Sequence, residues 1–493
     1  MIAKSVLKTA MFGQGVNMNL RDNGYRWVAT PAPLAGRYDD IFFINPNVGW
    51  AVNGNGQILK TEDGGGHWKI QEQLQGVYFR CIHMLDEQIG WVGCVTPRKQ
   101  LYHTSDGGKN WVLVENLPAD APSAVCGLWV LDQENVFASG TNYPERPARF
   151  FKTNDGGQTW FVRDMEDVAT LLVDIYFKDD QTGWVVGGRS VRPNPRRSDV
   201  VPTVLKTTDG GNTWQDMLGD INVPLGEWGW KIQFLDDDPE FGVVACENLK
   251  AGAILITEDG GNSWRRQEIR NSNGQMINEN LEGIGFLNRQ LGWVGGWGDQ
   301  VFESGRTSET TDGGFTWSDL TPDWPKPDPG YSCPPSPNIG QYINRFRFVS
   351  DGSVTVAYAS GNTVYKYTNQ ELHEPTEREV ASNRLLGATE LHITADQVLI
   401  PLTVPEGATN LSVVLYDRFA GKVRTLLEER NPAEGPRPIS WDLRDDSGQK
   451  LAPGQFMARV TCDNESESRL IFPERTGDRL ALTAMTPHVL RED

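Results

Sequence analysis

Apolar and polar positions alternate in short runs along most of the chain, and the runs are closed by glycine, asparagine or aspartate. A period of two predicts half-buried strands joined by tight turns, with little helix. In one representative stretch, Asp174-Ile-Tyr-Phe-Lys178 predicts an inner strand, Gly183-Trp-Val-Val-Gly-Gly188 a second and Val204-Leu-Lys-Thr207 a third, and the run carrying Trp214 is the fourth. The Gly-Trp opening of the second strand recurs at Gly49-Trp50, Gly90-Trp91 and Gly292-Trp293, with looser counterparts at Asn135-Val-Phe137 and Phe241-Gly-Val-Val244.

The strand pattern is locked to a repeated octet, Thr-Xaa-Asp-Gly-Gly-Xaa-Xaa-Trp, which places Asp63, Asp106, Asp155, Asp209, Asp259 and Asp312 two residues after a threonine and five before a tryptophan. By subtraction of their numbers, successive aspartates are 43, 49, 54, 50 and 53 residues apart, the size of one four-stranded propeller blade. An aspartate at the head of a hairpin accepts hydrogen bonds from backbone amides a few positions on, and the glycines take backbone angles closed to other residues. These six aspartates are therefore expected to be architectural. A seventh unit without the octet keeps three strands, Arg345-Phe-Arg-Phe-Val349, Ser353-Val-Thr-Val-Ala-Tyr358 and Thr363-Val-Tyr-Lys-Tyr367, and the run Tyr25-Arg-Trp27-Val-Ala-Thr30 resembles a fourth strand lacking its first three. Pairing the two closes a ring and removes its open edges. The expected fold is all-β: a seven-bladed β-propeller over 25–370 after an N-terminal tail at 1–24.

A charged connector, 371–390, leads into further alternating strands over 391–475, ending in a charged tail at 476–493. They predict an Ig-like β-sandwich, built from Leu391-His-Ile-Thr394, Gln397-Val-Leu-Ile400, Leu411-Ser-Val-Val-Leu-Tyr416, Lys422-Val-Arg-Thr-Leu426 and the segment from Ile439 to Val460 that carries Trp441-Asp442 and Pro453-Gly454-Gln-Phe456. Asp442, Asp445 and Asp446 lack the alternate spacing of an EF-hand loop, so they predict a plain hairpin turn.

At 493 residues the chain exceeds one ordinary hydrophobic core, which suits small cores repeated side by side. A net charge of −19 argues against nucleic-acid binding. No apolar run is long enough to span a bilayer, and the N-terminal residues contain no convincing signal-peptide core; as written the chain is expected to be cytoplasmic, with delivery to another compartment left open. Six cysteines form no CxxC or Cys/His cluster, so neither metal nor cofactor is expected. Cys81 and Cys94 flank the turn at 86–89, either as two buried thiols or as partners across a hairpin.

The octets are similar to the Asp-box, or bacterial neuraminidase repeat. Together with the Gly-Trp strands they make the span from Tyr25 to Thr368 resemble the photosystem II stability/assembly factor family. The segment from Ile439 to Val460 resembles the Ig-like domain of flagellar hook-capping proteins. The first resemblance implies partner docking through an arginine-bearing surface; the added C-terminal domain departs from the compact members of that family.

In such a propeller the boxes lie on one face, and the loops joining second to third strands lie on the other. Those loops carry Arg98 and Lys99, Arg146 and Arg149, Arg189, Arg192, Arg196 and Arg197, Lys250, and Arg306. Planar guanidinium groups suit acidic peptide or membrane-protein loops, so a non-catalytic, protein-binding assembly role is expected, with solvated loop charges as the plain reading. Trp228, Trp230, Trp297, Trp324 and Tyr331 belong to the same face, as groove or as blade packing. The alternative is a glycan-binding or glycoside-hydrolase propeller, which needs paired carboxylates; Glu227, Glu247, Asp299 and Glu303 are candidates, but no spacing singles out a pair. No GxSxG, HExxH, phosphate-loop or Phe-Arg-Ile-Pro segment is present. A structural component or cargo of a larger bacterial assembly is the remaining class.

Overall fold

The computed structural model describes residues 24–471 apart from 34, 36, 143–145, 191, 193–196, 220, 249, 298–305, 321–338, 340–341, 352–354, 371, 373–391, 394–396, 418–420, 452–455 and 464. Among the described residues, seven antiparallel four-stranded sheets form the propeller. Blade 1 comprises Tyr38–Phe43, Gly49–Asn53, Gln57–Thr61 and Lys69–Gln73; blade 2, Phe79–Met84, Gly90–Cys94, Leu101–Thr104 and Val112–Leu113; blade 3, Ala124–Val130, Asn135–Asn142, Arg146–Asn154 and Phe161–Asp164. Blade 4 comprises Leu171–Phe177, Gly183–Arg189, Val201–Thr207 and Gln215–Asp216; blade 5, Trp228–Phe234, Gly242–Glu247, Ala253–Thr257 and Arg265–Glu268; blade 6, Leu281–Phe286, Gly292–Gly296, Thr307–Thr310 and Ser318–Asp319.

Blade 7 joins the two ends of the ring. Its first three strands are Arg345–Ser350, Thr355–Ser360 and Val364–Thr368, and its fourth is Arg26–Ala29, which runs antiparallel with Arg26 opposite Thr368 and Ala29 opposite Tyr365. Trp27 is buried there, edge-on to Trp293 of blade 6 with ring centroids 5.4 Å apart. The contact ties the last strand to the neighbouring blade as well as to its own.

The Gly-Trp signature has a packing cause. Phe43, Phe177, Phe234 and Phe286 close the inner strands, and each stands opposite the glycine that opens the second strand, namely Gly49, Gly183, Gly242 and Gly292. A Cβ on Gly49 would sit 2.3 Å from the Phe43 ring, and one on Gly183 would sit 2.6 Å from the Phe177 ring. Glycine therefore lets the aromatic lie flat on the second strand, and the tryptophan that follows Gly49, Gly183 and Gly292 is buried, at Trp50, Trp184 and Trp293.

The C-terminal domain is a sandwich around Trp441, Leu411, Val413, Leu415 and Val398, all nearly or wholly buried. One sheet has the spatial order Lys422–Arg430, Asn410–Asp417, Phe456–Cys462, Glu465–Ile471. Facing it are His392–Ile393, Val398–Ile400 and Ile439–Trp441, with Thr403–Val404 paired to Gly435–Pro436. The Asp445 carboxylate accepts hydrogen bonds from the Ser447 and Gln449 amides at 2.9 Å. It closes a hairpin turn.

Candidate functional site

All six boxes share one hydrogen-bond plan. The threonine hydroxyl donates to the aspartate at 2.7–3.0 Å and accepts from the second glycine amide at 2.8–2.9 Å. The same aspartate accepts from the amide four residues on at 2.8–3.0 Å. Both glycines of every box have positive φ, as at Gly156 (69°) and Gly157 (90°). At Asp155 the Thr159 hydroxyl, the Thr159 amide and the Thr153 hydroxyl hold the carboxyl at about 2, and Asn110 does the same for Asp106. Carboxylates held in this way serve the turn, as the sequence expects.

The channel between the inner strands holds a buried ionic network. In blades 1 to 6 the inner strand carries a β-bulge at an equivalent place, leaving Asp39, Arg80, Cys126, Val173, Trp230 and Glu282 unpaired in the ladder. Asp39 pairs with Arg80 and with Arg37 at 2.7 Å, and Arg37 also pairs with Glu282. Arg37 lies over the rings of Trp297 and Trp230, 4.5 and 5.9 Å from their centroids. One residue further along, Asp40, Asp174 and Lys231 meet Arg345 of blade 7, which bonds Asp40 at 2.9 Å and Asp174 at 2.8 and 3.0 Å. Burial alone would raise Asp174, but Arg345 and Lys231 bring it down to about 2. Burial, reinforced by Arg345, lowers Lys231 to about 8, and its Nζ has no hydrogen-bond partner among the described residues.

The sequence reading missed this network. Its signal was a charged residue nine to eleven positions before the second strand of six blades, at Asp40, Arg80, Asp174, Lys231, Glu282 and Arg345.

On the loop face the arginines are spread among the blades, and four of the described ones face an aspartate of their own blade. Arg149 is almost fully buried and pairs with Asp164 at 2.6 Å. Arg189 is half exposed and pairs with Asp216 at 3.1 Å, Arg192 is exposed and pairs with Asp199 at 2.9 Å, and Arg306 pairs with Asp319. Arg98 is exposed in a turn with φ 64°. Arg196 and the side chains of Arg146 and Arg197 lie outside the described residues.

Glu227 is fully buried and clamped by Arg266 at 2.7 and 2.8 Å, and Glu247 accepts from the Trp228 indole at 3.0 Å. Asp299, Glu303, Trp324 and Tyr331 lie outside the described residues. Trp228, Trp230 and Trp297 are 1–3% exposed, so they pack the blades and line no open groove. Cys81, Cys94, Cys126 and Cys246 are buried free thiols, and Cys81 and Cys94 are not opposite each other: they face Gly93 and Phe79.

The outer surface of the C-terminal four-stranded sheet rests on the loop face at blades 1 and 2. Asn55, in the second-to-third loop of blade 1, donates to the Ser466 carbonyl. Gln75, between blades 1 and 2, accepts from Arg459 at 2.9 Å and from the Tyr416 hydroxyl at 3.4 Å. Met457 joins the buried apolar cluster that includes Tyr78 and Val95 of blade 2.

Residues 21–160 match the family described as photosynthesis system II assembly factor YCF48, and residues 389–466 match the FlgD Ig-like domain. The chain is 26% identical over 263 residues to the photosystem II assembly lipoprotein Ycf48 of Synechococcus sp. (strain CC9902), covering 47% of this chain and 75% of that protein. It is 29% identical over 306 residues to the photosystem II assembly protein Ycf48 of Synechococcus sp. (strain JA-2-3B'a(2-13)), covering 54% and 85%. Among solved structures, Ycf48 bound to a D1 peptide aligns with TM-score 0.48 and 16% identity over 70% of this chain and 97% of that one. An ancestral GH74 enzyme aligns with TM-score 0.49 and 12% identity, over 90% and 63%. The propeller thus resembles the photosystem II assembly factor family, and the C-terminal domain resembles the hook-capping Ig-like domain.

Proposed function

We propose that this chain is a non-catalytic assembly protein whose propeller docks a segment of a partner protein on the arginine-bearing loop face, with the Ig-like domain as a second attachment point. The observation that carries the reading is the propeller's match to photosystem II assembly proteins over 75% and 85% of their length. In this reading the propeller spans 25–370, the connector 371–390 and the sandwich 391–475.

The partner-binding residues proposed are Arg98, Arg146, Arg149, Arg189, Arg192, Arg196, Arg197 and Arg306. An exposed ion pair contributes about 0 to 1 kcal/mol, so the aspartates beside Arg189, Arg192 and Arg306 hold these side chains in place without blocking exchange for a partner carboxylate. A guanidinium has five donors, and one aspartate leaves several of them for the incoming group. Arg149, held by Asp164 under the surface, acts by positioning.

The test is a pull-down of partner from host membranes with the Arg192→Glu, Arg196→Glu, Arg197→Glu triple variant. Capture is expected to be lost; unchanged capture removes the arginine surface. A glycan array and a fluorogenic glycoside panel are expected to be blank, and a reproducible hit on either would replace docking with the glycan reading.

A further inference from the structure

The outer face of the Ig-like sheet is not a solvent face. Along Phe456–Cys462 the residues alternate: Phe456, Ala458 and Val460 point into the sandwich core, while Met457 and Arg459 point the other way and are still only 2% exposed. The propeller covers them, as the bonds from Arg459 and Tyr416 to Gln75 and from Asn55 to Ser466 record. Two-sided burial is what a docked sheet shows, and a free sandwich would place polar residues there.

The contact is nevertheless weakly held. Arg459 donates to Ser468 Oγ at 2.9 Å and to Gln75 Oε1 at 2.9 Å, both neutral acceptors, while its Nη2 is buried with no hydrogen-bond partner among the described residues. A guanidinium removed from water without a carboxylate loses solvation that neutral acceptors only partly replace. Opening rehydrates it. Gln75 itself is exposed at the rim, so water has access to the bond.

We infer that the loop-face rim of blades 1 and 2 is a protein-binding surface occupied in cis, and reversibly, by the outer sheet of the chain's own Ig-like domain. It rests on the docking reading only in treating this face as one that partners use. The domain then covers one sector of the face and leaves Arg189, Arg192 and Arg306 on blades 4 and 6 outside it, so it sets how much of the surface a partner meets at once.

Methionine oxidation tests this on the full chain without any partner. Met457 and Met84 are equally buried, at 2% exposure each, but Met84 sits in an inner strand of blade 2 and Met457 at the contact. Dilute hydrogen peroxide followed by mass spectrometry is expected to oxidise Met457 at least about tenfold faster than Met84, because only the contact opens without unfolding. Gln75→Glu gives Arg459 a carboxylate and is expected to slow Met457 by about tenfold, the difference between a neutral and a charge-assisted bond. Gln75→Ala is expected to speed it, and Met84 should change in neither variant. Met457 oxidising at the Met84 rate, or at one rate in all three proteins, would overturn the proposal by making the contact a fixed part of the fold. Because no partner enters the assay, its failure is distinct from failure of the arginine variants.

Discussion

Arg345 of blade 7 reaches across the propeller axis to Asp174 of blade 4, with both guanidinium Nη atoms on the carboxylate at 2.8 and 3.0 Å, while its Nε holds Asp40 of blade 1 at 2.9 Å. One side chain thereby links blade 7 to the adjacent blade 1 and to blade 4 across the ring. All three residues are at most 5% exposed.

Removing one member of such a buried network leaves an uncompensated charge. Asp174→Ala is expected to destabilise the propeller by about 3 to 5 kcal/mol, seen as a large fall in the chemical-denaturation midpoint. Asp174→Asn, which keeps the shape and part of the hydrogen bonding, is expected to lose less.

Closure makes Trp27 a second point of failure. Its indole packs against Trp293, Phe346 and Tyr367 at centroid distances of 5.3–5.5 Å. Trp27→Ala is expected to cost about 3 to 5 kcal/mol, and to lower solubility as well, since a detached first strand leaves an open edge on blade 7. Light scattering during thermal melts distinguishes the two effects.

The box turns predict a smaller, local loss. Gly157 has φ 90°, and a Cβ there would lie 2.6 Å from the Trp91 ring of the preceding blade. Gly157→Ala is expected to cost about 1 to 3 kcal/mol with partner capture retained, because the proposed docking uses the opposite face. Differential scanning calorimetry combined with the pull-down checks both halves.

Acid sensitivity should begin with His83. It lies between Phe42, against which it is tilted, and Trp129, to which it is edge-on, with centroids at 4.3 and 4.8 Å, and burial lowers its pKa from 6.5 to about 3. The unfolded chain therefore binds a proton that the folded chain refuses, so stability falls as pH drops from about 6.5 toward 3, with a limiting slope of about 1.4 kcal/mol per pH unit for one proton. Asp174 acts in a lower window, its contribution fading as pH falls from 3.8 to about 2. Denaturation midpoints at pH 7 and 5 are expected to differ in the wild type and to draw closer in His83→Phe.

Strands, boxes and ring closure were legible in the sequence because each rests on local spacing: Thr153, Asp155, Gly157 and Trp160 form one turn within eight residues. Trp27 was readable as an orphan strand for the same reason. The channel network was not, since Arg345 and Asp174 are 171 residues apart and meet only after seven blades close. The loop arginines were placed on the expected face by spacing alone, but Asp164, Asp216 and Asp319 on fourth strands neutralise several of them, and that pairing depends on cross-strand register. Docking of Met457 and Arg459 on blades 1 and 2 was equally hidden. Alternation in Phe456–Cys462 announced a strand, and only the fold shows that both of its faces are covered.

The docking claim meets its most direct test in cross-linking mass spectrometry of the captured complex with a lysine-reactive reagent. Lys99 and Lys250 belong to the loop face, whereas Lys109 sits in the second box and Lys178 in the turn before the second strand of blade 4, on the opposite side. Partner cross-links are expected at Lys99 and Lys250. Cross-links confined to Lys109 and Lys178 would contradict the account.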